Sequence, residues 1–152
     1  MNIPSPILAA ATVWPACIEP LPNARPLFGG WVPAGFPSPA ENYIEKELDA
    51  NELLVSNRTA TYFVRISGES MRGSWIRNGD IAVVDCSIEP LPGQVVVAVL
   101  DGDMLIKQLG RAPTGEVLLL PTNKRYPTLQ VRAEQDFYIW GVVTWTLHRQ
   151  LP

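Results

Sequence analysis

Two residues, Asp101-Gly102, separate the apolar run Val95–Leu100 from the alternating run Asp103–Leu109. An Asp-Gly link between two strand-like runs is the strongest short-range signal for a β-hairpin, because its backbone twist matches that of the strands it joins. The hairpin constrains everything around it. In Met104-Leu105-Ile106-Lys107-Gln108-Leu109, Leu105, Lys107 and Leu109 share one face and Met104, Ile106 and Gln108 the other. The neighbouring run Val95-Val96-Val97-Ala98-Val99-Leu100 is apolar on both faces, so it is either central in a sheet or at a subunit contact. Lys107 therefore either snorkels out to water or is buried and pushed towards the neutral amine.

With the hairpin's own runs at 94–100 and 103–109, strand candidates lie at 60–66, 81–85, 116–121 and 137–146, with turn signals at Asn78-Gly79-Asp80 and Pro92-Gly93. Strands at this spacing with no helical pattern between them imply a mainly β fold, a curled, barrel-like all-β domain with one or two short helices. The run Thr61-Tyr62-Phe63-Val64-Arg65-Ile66 ends in Ser67-Gly68-Glu69-Ser70-Met71. A serine on a tight turn after a strand is exposed and can be aimed, which a nucleophile requires. Its hydroxyl also needs a base. A free lysine is neutral in only roughly one molecule in 2,500 at pH 7, but burial lowers its pKa and makes it usable, and Ser–Lys pairs are a known arrangement of this type. Met71 and Trp75 read as core plugs seating a short helix that begins near Ser70. Amides at or beside Ser70 are then placed for an oxyanion hole. Glu69 and Asp85 read as surface carboxylates rather than a third catalytic member.

The first 34 residues contain Pro4, Pro6, Pro15, Pro20, Pro22, Pro26 and Pro33, and only two charges, Glu19 and Arg25. That density forbids a helix or a paired central strand and favours extended backbone. Trp14, Phe28 and Trp31 suit an arm that docks reversibly on a globular body. Ser38-Pro39-Ala40-Glu41 has the form of a capped helix start, with Tyr43, Ile44 and Leu48 as the apolar stripe of a short helix. Asp49-Ala50-Asn51-Glu52 repeats the capping pattern before Leu53-Leu54-Val55. The chain thus divides into an arm (1–34), a short helical connector (35–59) and a β-rich domain (60–152).

Composition narrows the function. A net charge of −3 with no run of like charge argues against direct DNA binding through a basic surface. Cys17 and Cys86 form neither a metal spacing nor a disulfide framework, and the single His148 lies too near the end to assemble a Ser-His-Asp triad easily. No metal or cofactor is expected. No apolar run approaches ~20 residues, and residues 7–14 lack the charged start of a secretory signal, so the expectation is a cytoplasmic protein away from membranes.

Ser67-Gly68-Glu69-Ser70-Met71, Asn78-Gly79-Asp80-Ile81-Ala82-Val83-Val84-Asp85, Gly93-Gln94-Val95-Val96-Val97-Ala98-Val99 and Ile106-Lys107-Gln108-Leu109, in that order and spacing, resemble the LexA/UmuD family of self-cleaving serine peptidases across roughly residues 34–146. Ala34-Gly35-Phe36-Pro37-Ser38-Pro39-Ala40 and Ala60-Thr61-Tyr62-Phe63-Val64 extend the likeness to the members that serve error-prone translesion polymerases. The resemblance implies Ser70 as nucleophile, Lys107 as general base and Ala34-Gly35 as the bond cut. It also implies a homodimer, stimulation by a RecA–single-stranded DNA filament after DNA damage, and a UmuC-type Y-family polymerase as partner. A repressor of the same family needs a helix-turn-helix, which the proline-rich arm does not provide. A signal peptidase needs a membrane anchor. A polymerase accessory that no longer cleaves itself, or a remnant of a LexA-like repressor, is the alternative.

Overall fold

The structure is a computed structural model and describes residues 13–28, 34–35 and 44–151. Ten strands are present among these residues. Eight form one antiparallel sheet: β1 (Val13–Pro15), β4 (Thr61–Arg65), β5 (Ile81–Asp85), β10 (Phe137–Leu147), β6 (Val95–Leu100), β7 (Asp103–Arg111), β8 (Val117–Leu120) and β9 (Leu129–Gln130), in that spatial order. The other two, β2 (Ala24–Phe28) and β3 (Ile44–Asp49), pair with each other. A five-residue helix, α1 (Ala50–Leu54), and a 3-10 turn at Arg72–Ser74 complete the regular structure.

The mainly β reading holds. β6 and β7 meet through Asp101 and Gly102, both at positive φ, with Leu100 opposite Asp103. Those are the dihedral signs of the hairpin turn that the Asp-Gly link implies. β6 lies between β10 and β7, with Val96, Val97, Ala98 and Val99 all buried, so the doubly apolar run marks a central strand.

The sheet is open, with β1 and β9 at its ends, and it curls. Three strands separate β4 from β7, which in a flat sheet would hold them about 19 Å apart at ~4.8 Å per strand. Yet residues of both line one cleft. β10 provides part of the bend: it pairs with β6 over Phe137–Val142 and with β5 over Val142–Leu147, with register shifts at Ile139/Gly141 and Val143/Trp145. Bulges of this kind kink a strand and increase its twist. Tyr62, Val64, Ile66, Met71, Val84, Val97, Val99 and Trp140 belong to the main core; Val96, Leu109 and Val142 form a second cluster.

Three expectations are corrected. Ile44–Asp49 is a strand and not the stripe of a helix: its register partners are Ala24–Phe28, so pairing with a distant segment outweighs the helical preference of Glu-Lys-Glu-Leu. The capping pattern at Asp49 does start a helix, with Asp49 accepting the Asn51 N–H as N-cap. Trp75 is 79% exposed, because a left-handed backbone (φ 62) at the end of the 3-10 turn aims it outward; Met71 alone is the plug, at 1%. Asp85 is buried and accepts both the N–H and the hydroxyl of Ser87. The short β9 had no sequence signal. The capped start at Ser38–Glu41, Trp31 and Phe36 lie outside the described residues.

Candidate active site

β4 delivers the chain to the active turn, and the turn is held from three directions. Ile66 N–H donates to the Asp80 carbonyl at 2.8 Å and Gly79 N–H to the Ile66 carbonyl at 2.9 Å, so the ladder with the 77–80 turn continues past the strand. Gly68 N–H donates to Asn78 Oδ1 at 2.9 Å. Beneath, Met71 fills the core. Behind, the segment after β8 grips the backbone: Thr122 and Asn123 N–H both donate to the Ser70 carbonyl at 3.0 Å, and Asn123 Nδ2 donates to the Glu69 carbonyl at 2.9 Å. Ser74 N–H donates to Thr122 Oγ1 at 3.0 Å. This contact is close enough that a Cβ on Gly73 would fall 2.1 Å from the Thr122 carbonyl oxygen. Any side chain at position 73 therefore requires the Thr122 backbone to shift.

Lys107 enters from β7, where it stands opposite Val96 of β6. Its Nζ donates to Ser70 Oγ at 2.8 Å and to the Ile106 carbonyl at 3.0 Å. Burial disfavours the ammonium and holds the Lys107 pKa below its ordinary value. Among the described residues no carboxylate lies within ion-pair distance of Lys107 to offset that burial. The serine and lysine face a cleft of about 500 Å³, walled by Val64, Ile66, Val97, Met104 and Ile106 and edged by Ser67 and Asn78. A cleft of mixed apolar and polar lining that holds a hydroxyl in contact with a partly desolvated amine suits a peptide and acyl chemistry.

Ala34 and Gly35 are both exposed, and neither lines the cleft. Of the four residues singled out in the sequence, two are in contact and two stand apart from them. His148 Nδ1 lies 2.5 Å from Asp80 Oδ1, so the histidine is engaged there. Cys17 is exposed; the Cys86 thiol is pushed up to about 11 by burial, with the Asp85 charge adding to it, and stays protonated. Among the described residues no three His, Cys, Asp or Glu side chains group to hold a metal, and no helix is long and apolar enough to cross a membrane. Thr122 and Asn123 carry no signal in the sequence, and Asn78, read there only as part of a turn, gives no sign of its bond to Gly68. Their backbone and amide contacts span up to 54 residues and leave no local pattern.

A profile of peptidase S24-like proteins matches residues 26–144. Protein SamA of Salmonella typhimurium is 42% identical over 131 residues, covering 86% of this chain and 90% of that protein. Protein MucA of Escherichia coli is 39% identical over 126 residues, covering 82% and 85%. LexA repressor 2 of Pseudomonas putida is 38% identical over 120 residues, covering 79% and 58%. The chain belongs to the peptidase S24-like family, the LexA/UmuD family that its motif blocks resemble.

Proposed function

We propose that the chain is a serine endopeptidase that cuts itself between Ala34 and Gly35. Ser70 Oγ attacks the Ala34 carbonyl carbon while Lys107, as the neutral amine, takes the hydroxyl proton. The proton then passes to the Gly35 nitrogen as the peptide bond breaks. A water molecule, deprotonated by Lys107, hydrolyses the ester and frees Ser70. The observation that carries this reading is the 2.8 Å contact between Lys107 Nζ and Ser70 Oγ, at a lysine whose charge is disfavoured by burial.

Because Ala34 and Gly35 stand outside the cleft, cleavage requires the segment that carries them to move in. A RecA–single-stranded DNA filament then acts by favouring the docked segment and supplies no catalytic group. In this reading the protein works in the cytoplasmic response to DNA damage. The product that begins at Gly35 forms a homodimer and joins a UmuC-type Y-family polymerase in error-prone translesion synthesis, with no direct sequence-specific DNA binding of its own.

Intact mass after incubation, with and without the filament, tests the reading. The parent chain should yield a fragment starting at Gly35, and Ser70→Ala and Lys107→Ala should each yield none. A variant that keeps half the parent rate removes its residue from the mechanism.

A further inference from the structure

Residues 13–16 form the outer edge of the main sheet. Val13, Trp14 and Pro15 lie antiparallel to Val64, Phe63 and Tyr62, and Ala16 N–H donates to the Thr61 carbonyl at 2.9 Å. Bonded and unbonded pairs alternate along an antiparallel ladder, so Trp14–Phe63 is the next bonded pair after Ala16–Thr61. Pro15 falls between them, where a missing N–H would face away from the sheet, the place an edge strand tolerates proline. Side chains anchor the segment too. Val13 packs against the main core, Ala16 is 5% exposed, and the Trp14 ring lies 5.7 Å from the Arg65 guanidinium.

Two more ties follow along the same segment. Asn23 N–H donates to Asp49 Oδ2 at 2.9 Å, and β2 pairs with β3 from Ala24 to Phe28. Each tie joins a residue before Ala34 to a residue after Gly35. Cutting that bond severs none of them.

We propose that the edge of β4 is a strand-docking site whose occupant is the chain's own residues 13–16, and that the segment before Gly35 stays there after the cut as a non-covalent strap. The proposal rests on the Ala34–Gly35 reading above. Loss of the strap is then a step separate from hydrolysis, and Thr61–Arg65 becomes open to another extended chain only when the strap leaves. A lone two-stranded ribbon is marginal in water. β1, packed on the core, is therefore the tie that decides retention.

The test uses the full chain with Ser70→Ala and a foreign protease's recognition sequence placed at 34–35, so the cut is made from outside whether or not the chain cuts itself. Native gel filtration followed by intact mass should find both pieces eluting together. Val13→Asp, and Trp14→Pro, which removes the donor of a bonded pair, should each speed loss of the strap at least tenfold with the near-UV circular dichroism of the body unchanged. The Phe63 amide faces β1 and should stay protected from hydrogen exchange after the cut in the parent, but not in the two variants. Immediate loss of the strap at one rate in all three chains, with Phe63 exchanging freely at once, would overturn the proposal. Retention here combined with no self-cleavage in the unaltered chain would sink the cleavage reading and leave the docking site standing.

Discussion

Lys107 brings an amine to a half-buried place where no described carboxylate pairs with it. Because burial lowers its pKa below the ordinary 10.5, the folded state carries a penalty wherever the amine is charged. The penalty is complete below the folded pKa, shrinks as pH rises through it, and vanishes above the unfolded value. Lys107→Met should therefore raise the denaturation midpoint at pH 6–7 and leave it nearly unchanged above about pH 10.5, as thermal melts across pH would show. Ser70 and Lys107 were both legible in the sequence for local reasons: one ends a strand at a glycine, the other breaks an apolar strand face. Trp75 was misread because its direction depends on a left-handed backbone angle that residue type does not reveal.

The elements that position the serine are less visible than the serine itself. Six strands were placed to within about two residues from alternation and turn chemistry, because each period and each Asp-Gly or Asn-Gly break is written within a few positions. The β2–β3 ribbon escaped notice, since its register joins Ala24–Phe28 to a segment that is helical by composition. The 122–123 grip escaped for the same reason: its partners are backbone groups on a distant turn. That grip makes a sharp forecast. Gly73→Ala must push Thr122 away and should cost about 1–3 kcal/mol, the usual cost of overpacking. Asn123→Ala loses two hydrogen bonds, the one its Nδ2 donates to the Glu69 carbonyl and the one its Oδ1 accepts from the Arg125 N–H, and should cost about 1–3 kcal/mol. Both should slow self-cleavage, and urea midpoints alongside rates would check each. Unchanged rates with lowered stability would mean the grip supports the fold without aiming Ser70.

At the scale of the molecule, the curl of the sheet brings β4 and β7 to one cleft, while Ala34 and Gly35, the proposed cleavage pair, lie outside it. The exposed Trp145 and Leu147 at the end of β10 are suited to a subunit contact, and the protein should sediment as a dimer before and after cleavage; a monomer at micromolar concentration would count against that. The position of the scissile pair also decides the pH behaviour. Burial lowers the Lys107 pKa in the open cleft; in the proposed mechanism the docked arm would exclude water and lower it further. The most direct test is the rate of unassisted cleavage from pH 6 to 10, repeated with the filament. If the neutral Lys107 is the base, the rate climbs about tenfold per pH unit until the folded pKa, and reaches its plateau at lower pH with the filament. A flat profile from pH 6 to 10 without the filament would contradict lysine as the base and end this mechanism.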